Sequence, residues 1–102
     1  MTADTLLARL ESGEAPAVLD VRARFEFRAG HVPGAVHVPF WHLPFVSLPA
    51  ALDRDQPVAL YCAYGPRAWM AGAALRARGF RHVTFVAGHM AGWRRRGLPE
   101  ER

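Results

Sequence analysis

The fold is decided by residues 57–68, which read PVALYCAYGPRA. Residues 57–61 form a short apolar run with the length of a strand that is buried on both faces. Residues 68–78 are rich in helix-forming residues, and Gly79 follows them as a C-terminal helix stop. The only cysteine, Cys62, therefore lies where a predicted strand passes into a predicted helix.

The loop after Cys62 has a composition that favours a bound anion. Gly65 permits a tight bend, and Pro66 has the fixed φ of a first helical residue. Such a turn directs several backbone N–H groups at one point, and a helix start adds partial positive charge. This environment can lower the pKa of a cysteine from about 8.5 to roughly 3.5–7.5, and Arg67 adds a permanent charge. We therefore predict that Cys62 is mostly a thiolate at pH 7 and acts as a nucleophile.

A lone cysteine also has a second interpretation, as a small buried hydrophobic residue without reactivity. Open α/β sheets, however, bind ligands at the C-terminal ends of their parallel strands, which is where Cys62 is predicted to lie. Because glycine, proline and arginine follow it, the catalytic interpretation is favoured.

Composition indicates one soluble globular domain that covers residues 1–102. Hydrophobic residues make up 51% of the chain and charged residues 22%, which is ordinary for a soluble protein. No apolar run approaches the length of a membrane span, and the N-terminus lacks the pattern of a secretory signal. A single cysteine excludes an internal disulfide and favours a reducing compartment, so we expect a cytoplasmic protein without a membrane partner.

The basic residues are all arginine, 13 in number, and the net charge is +4. Their densest run, residues 94–96, is better interpreted as a solvated helix end than as a nucleic-acid site, which needs a basic face with interleaved aromatic residues. A weaker alternative is that these arginines attract anionic substrates at long range. We expect no metal site, because the histidines lack metal-ligand spacing. The histidines are His31, His37, His42, His82 and His89.

Predicted strands and helices alternate along the chain. The strands are residues 17–21, 35–38, 57–61 and 82–86. The helices run from a cap at Thr2 or Asp4 to Gly13, and then over residues 22–28, 68–78 and 88–96. Residues 40–55 form a predicted loop with one or two short helical turns, one of them at residues 49–52. Because the strands are nearly all apolar, we expect a parallel sheet covered by helices on both faces.

Several aromatic side chains have predicted environments. Phe25 is expected to turn toward the core, with Phe27 as a further candidate. The tryptophans are expected to be packing residues: Trp41, Trp69 and Trp93. The alternative for Trp69 is that it walls a pocket beside the cysteine loop. Tyr64 is expected to face outward, where it could contact a donor or a partner.

Four groups of residues, taken in order, are similar to the motifs of one family. They are Leu19-Asp20-Val21-Arg22 with Glu26; Gly30-His31-Val32-Pro33-Gly34-Ala35 with Val38-Pro39; Tyr61-Cys62 with Gly65, Arg67 and Ala68; and Gly79-Phe80, Val83, Gly88 and Trp93. Each group alone is weak, but the ordered set over residues 18–97 is specific. On these residues the chain resembles a single-domain rhodanese, a sulfurtransferase.

The resemblance implies a rhodanese-like α/β fold of three layers, with a mostly parallel sheet of four to five strands flanked by helices. It implies that Cys62 takes sulfane sulfur from a donor such as thiosulfate and holds it as a persulfide. The sulfur then passes to cyanide, to a thiol or to a partner sulfur-relay protein. No metal or organic cofactor is implied. The active-site loop would consist of Ala63, Tyr64, Gly65, Pro66, Arg67 and Ala68.

Other residues of the motifs have predicted supporting roles. Arg67 is expected to orient an anionic donor, with the alternative that it pairs with a carboxylate and fixes the loop. A buried network of ion pairs and hydrogen bonds is expected for Asp20, Arg22, Glu26 and His31. A secondary role of Asp20 or Arg22 in shaping the pocket field is the weaker alternative. His89 occupies a position where many members have glycine, and it is expected near the pocket.

The chain also departs from the family pattern. Ala63 stands where some thiosulfate-using members have a basic residue, and Pro66 has no N–H to contribute to the loop. The leading edge strand of many members is expected to be short or absent. Two other functions stay open: a sulfur-carrier or interaction module with little thiosulfate turnover, and a phosphatase-like enzyme. The phosphatase is disfavoured, because four residues separate Cys62 from Arg67 and related phosphatases have a longer loop.

Overall fold

A parallel sheet of four strands organises the computed structural model, which describes residues 1–48 and 52–102. The strands are β1 (Ala17–Asp20), β2 (Val36–His37), β3 (Val58–Tyr61) and β4 (Val83–Phe85), and their order in the sheet is β2-β1-β3-β4. The helices are α1 (Ala3–Ser12), α2 (Arg24–Ala29), α3 (Pro66–Ala77) and α4 (His89–Arg95). The predicted α/β fold with a parallel sheet flanked by helices is confirmed.

Strand β3 lies in the middle of the sheet because its side chains are apolar on both faces. All four of its residues are buried. Val58 and Leu60 pack with α3 on one face, whereas Ala59 and Tyr61 pack with α1 and α4 on the other. Side chains alternate across a strand, so a run without polar residues requires cover on both sides. The three-layer arrangement follows from this run.

Helix α1 begins and ends where its sequence signals predict. The Thr2 side chain accepts a hydrogen bond from the N–H of Thr5, and Gly13 ends the helix in the left-handed conformation with φ 78°. A side-chain cap of this kind contributes about 1 kcal/mol to helix stability. Leu6, in the middle of the helix, is fully buried against the sheet.

Helix α3 approaches the sheet closely, and a glycine makes this approach feasible. A Cβ added at Gly72 would stand 2.8 Å from the Phe85 ring of β4, which is closer than real carbon atoms come. The helix is therefore held near the end of β4. Its first residues, 66–68, are also the last residues of the cysteine loop, so the packing of the helix positions the loop.

Three aromatic predictions are wrong. Phe25 is 76% exposed, Trp69 is 74% exposed and Trp41 is 47% exposed, whereas Trp93 is fully buried as expected. A helical turn was predicted at residues 49–52. Residues 49–51 of this turn lie outside the described residues.

Met1 extends the sheet edge by one residue. Its amino group donates to the carbonyl of Phe85 at 2.9 Å, and its carbonyl accepts from the N–H of Ala87 at 2.7 Å. Among the described residues no strand precedes α1. Within residues 1–48 and 52–102, no helix has the length and apolar character needed to cross a membrane.

Candidate active site

The loop after β3 encircles the sulfur of Cys62 with backbone N–H groups. The N–H of Gly65 donates to Sγ at a distance of 2.9 Å. The N–H groups of Tyr64 and Ala68 also lie near this sulfur and lower its pKa. Gly65 has φ 137°, a conformation that side-chain-bearing residues rarely adopt, and this bend turns the chain back over the sulfur. Pro66 then starts α3, as its fixed φ predicts.

Helix α4 fixes the other side of the loop. The N–H of Met90 donates to the carbonyl of Cys62 at 2.9 Å, and the N–H of Ala91 donates to the carbonyl of Ala63 at 3.1 Å. These bonds pair orphan donors of a helix start with the backbone at the end of β3. The backbone of Cys62 is therefore held from two directions.

The pKa of Cys62 reflects opposing effects. Complete burial of the residue raises the pKa, but hydrogen bonds from the His89 ring and from the N–H groups of Ala68, Gly65 and Tyr64 outweigh burial. The result is a pKa lowered to about 7. The shift favours the thiolate near neutral pH, in the direction that the sequence predicts.

We expect the alkylation rate of Cys62 by iodoacetamide to rise with pH and to reach half its maximum near pH 7. Only the thiolate reacts, so the rate follows the deprotonated fraction upward through the pKa. The measurement is intact mass against time over a series of pH values. The same protein unfolded in urea is the control, and its midpoint should move to about 8.5. A folded midpoint above that of the unfolded control would contradict the lowered pKa.

Arg67 is paired with a carboxylate. Its guanidinium donates two hydrogen bonds to Glu26, at 2.6 and 3.0 Å, and Glu26 also accepts from the N–H of Ala23. The bond from Arg67 lowers the pKa of Glu26, so the pair is charged. This contact supports the alternative role of Arg67, which is to fix the loop against α2, over the favoured role of orienting a donor.

Two of the four residues predicted to form a buried network, Asp20 and Arg22, form a buried ion pair behind the loop. The Arg22 guanidinium binds Asp20 through Nε at 3.0 Å and through a terminal nitrogen at 2.7 Å, and both residues are almost fully buried. Arg22 also donates to the carbonyl of Gly30 at 2.8 Å. These contacts tie the ends of β1 and α2 together, as expected for a structural role.

Tyr61, the residue before Cys62, is a member of this network that the sequence analysis missed. Its hydroxyl donates to Asp20 at 2.6 Å and accepts from the N–H of Val32 at 3.0 Å. Burial and the Asp20 carboxylate raise the pKa of Tyr61, so the phenol stays neutral. The missed signal is register: a tyrosine in an apolar strand lies directly opposite an aspartate in the neighbouring strand.

His89 lies beside the cysteine, as expected. Its Nδ1 accepts a hydrogen bond from the N–H of Cys62 at 3.2 Å. Among the described residues it is the one non-glycine residue with positive φ, 54°. His31, by contrast, has a structural role. Its ring forms a hydrogen bond with the carbonyl of Phe27 and stacks on the ring of the same phenylalanine.

An apolar cavity of about 450 Å³ opens next to the loop on the α3 side. It is lined by Gly65, Pro66, Trp69, Met70, Phe85 and His89. The alternative prediction for Trp69, a pocket wall, thus describes its position.

Tyr64, at the tip of the loop, is 81% exposed and faces outward as predicted. Across residues 1–48 and 52–102, no cluster of His, Cys, Asp or Glu is arranged to hold a metal ion.

Comparison with known proteins places this site in a family. A family model described as a rhodanese-like domain matches residues 2–96. A sulfurtransferase of Allochromatium vinosum is 32% identical over 96 residues, which cover 94% of this chain and 88% of that protein. The tRNA sulfurtransferase of Desulfurococcus amylolyticus is 34% identical over 71 residues, covering 70% of this chain and 14% of that protein.

A crystal structure of the Alr3790 protein from Anabaena sp. superimposes with a TM-score of 0.87 at 33% identity, covering 99% of this chain and 90% of that one. The chain spans less than half the length of several other curated relatives, so the domain also occurs inside longer proteins. The family model covers nearly the whole sequence, and a curated relative of similar length is a sulfurtransferase. The chain with this cysteine loop therefore belongs to the rhodanese-like domain family.

Proposed function

We propose that the protein transfers sulfane sulfur through a persulfide on Cys62. The observation that carries the proposal is the set of N–H groups directed at Sγ, led by the bond from Gly65 at 2.9 Å. A persulfide is an anion like the thiolate, so the same donors stabilise both states and need no rearrangement between them. Cys62 is the catalytic residue of this proposal, and residues 63–68 form the loop that binds the donor.

The proposed reaction has two displacement steps. The Cys62 thiolate attacks the outer sulfur of thiosulfate, an S–S bond forms, and sulfite leaves with the electron pair of the broken S–S bond. Cyanide or a thiolate then attacks the outer sulfur of the persulfide. The product leaves with that sulfur, and the Cys62 thiolate is restored. All groups are supplied by the loop and the two substrates, so the reaction needs no metal or organic cofactor.

The test is intact-mass analysis after separate incubation with thiosulfate, mercaptopyruvate, and a cysteine desulfurase with cysteine. We expect a gain of one sulfur atom with at least one donor, and its loss on addition of cyanide. Loading by any of the small donors, followed by turnover in a thiosulfate:cyanide assay, supports the enzyme. An unchanged mass with all three donors would exclude the proposal.

The second candidate is a sulfur-carrier module that exchanges sulfur with a partner protein. The observation in its favour is the exposure of two aromatic side chains. Tyr64, at the tip of the loop, is 81% exposed, and Trp69, in the first turn of α3, is 74% exposed. Large aromatic residues are enriched at protein interfaces. A carrier would be loaded by the desulfurase but turn over thiosulfate poorly. The putative sulfur carrier protein YrkF of Bacillus subtilis, a longer relative that is 29% identical over 85 residues, fits this alternative. A reducing cytoplasm would suit either function.

Glu26→Gln is expected to lower the KM for thiosulfate about fivefold with little change in kcat, because one unpaired charge near the surface is worth roughly 1 kcal/mol. Glutamine can still accept from the N–H of Ala23, but it leaves Arg67 with an unneutralised charge at the loop. Steady-state kinetics at constant ionic strength provide the measurement. Glu14→Gln, an exposed change of the same charge, is the control. A KM that stays constant or rises would show that Arg67 serves only to fix the loop.

A further inference from the structure

The ring of His89 directly contacts the backbone of Cys62. The backbone of His89 adopts a conformation that costs free energy. A φ of 54° is uncommon for residues other than glycine, although histidine, asparagine and aspartate adopt such values more often than most. Glycine adopts this conformation without strain. The side chain is therefore held here at a conformational cost, and strained residues of this kind cluster at functional sites.

The hydrogen bond to Cys62 fixes the protonation state of the ring. Because Nδ1 accepts from the N–H of Cys62 at 3.2 Å, the proton of the neutral ring is on Nε2. A Cβ placed on Gly65 would stand 3.3 Å from Nε2, so this nitrogen lies at the bend of the loop. Gly65 is the residue whose N–H donates to Sγ, so the Nε2–H donor lies next to an established donor to the sulfur.

The other polar groups near the loop are already engaged. Arg67 is bound to Glu26, and Arg22 is bound to Asp20 behind Tyr61. The remaining walls of the cavity beside the loop are apolar: Pro66, Trp69, Met70 and Phe85. His89 therefore lies between this apolar cavity and the buried Cys62, whose backbone it contacts. A hydrogen bond to an ion is strong where water is excluded, as it is around the buried sulfur.

We propose that His89 is a positioning residue of the site, which holds the Cys62 backbone through Nδ1 and donates from Nε2–H to the thiolate and to the persulfide. This inference rests on the proposed sulfur transfer for its persulfide part only. The ring moves no proton in either step, so it acts by stabilising the anion. Loss of the Nε2 donor, with the Nδ1 acceptor replaced by another acceptor, should weaken that stabilisation without altering the loop.

The test is the pH dependence of Cys62 alkylation in two variants. Asparagine tolerates positive φ, and its side-chain oxygen can accept a hydrogen bond in place of Nδ1. Its shorter side chain places no N–H donor at the position of Nε2. We expect His89→Asn to keep the wild-type midpoint of urea unfolding while the alkylation midpoint rises by about one pH unit, the size of one hydrogen bond to an ion. His89→Gly should show the same or a larger rise. His82→Asn, an exposed change of the same type, should leave the midpoint unchanged.

The tautomer provides a second readout. Nitrogen NMR of the ring should show the proton on Nε2 in the thiolate form. An alkylation midpoint equal to wild type in both His89 variants, or a proton on Nδ1, would overturn the inference. These measurements need no sulfur donor. A raised midpoint without persulfide formation would therefore refute the proposed function alone, and persulfide loading with unchanged midpoints would refute the role of His89 alone.

Discussion

Replacement of Cys62 by serine is expected to abolish sulfur loading and to lower thiosulfate:cyanide activity at least about a thousandfold, because a covalent nucleophile is removed. A serine hydroxyl stays protonated at neutral pH and cannot hold sulfur as a persulfide. The donors that surround Sγ, with Gly65 at 2.9 Å, would then bind a neutral oxygen instead of an anion. Because the anion is absent, the loop retains its shape but loses its function.

The measurement combines intact mass after thiosulfate treatment with the steady-state assay. Serine differs from cysteine by one atom, so the urea unfolding midpoint should stay close to that of the wild type and exclude misfolding as the cause. Cys62→Ala is the matched second variant, because it removes the polar atom as well. Activity retained in both variants would mean that sulfur passes directly between substrates without a covalent intermediate.

The cysteine loop was predictable because its determinants are local. An apolar strand, a glycine at a bend and a proline at a helix start lie within ten residues of one another, and each has a strong conformational preference. The structure places the donors of this loop around Sγ as these preferences indicate. The size of the pKa shift was not predictable in the same way, since burial of Cys62 opposes the donors.

The partners of the loop were harder to predict because they are distant in sequence. Arg67 and Glu26 are 41 residues apart, and their contact depends on how α2 lies against the loop. From sequence, donor orientation was therefore the favoured role of Arg67, and pairing with a carboxylate was the alternative. Trp69 and Phe25 were assigned to the core on hydrophobicity alone. Helix α3 is apolar around most of its circumference, so periodicity could not show which face is buried.

Loss of the buried ion pair is expected to produce the largest change in stability. Arg22→Met removes the guanidinium that binds Asp20 at 2.7 Å and leaves a buried carboxylate with the Tyr61 hydroxyl as its remaining side-chain partner. Breaking one side of a buried pair typically costs 3–5 kcal/mol, so we expect the free energy of unfolding to fall by about 4 kcal/mol. Tyr61→Phe, which removes one neutral donor, should cost about 1–3 kcal/mol.

Urea unfolding followed by tryptophan fluorescence provides the measurement, and the buried Trp93 should contribute most of the change. The double variant Asp20→Asn with Arg22→Met decides the cause, because it removes both charges together. If the uncompensated carboxylate is responsible, the double variant recovers part of the loss caused by Arg22→Met, since apolar replacement of whole buried pairs is often tolerated. A double variant less stable than the single one would instead assign the loss to the packing of the Arg22 side chain and its bond to Gly30. The network would then support the loop through shape, because Tyr61 directly precedes Cys62 and its position sets where the sulfur lies.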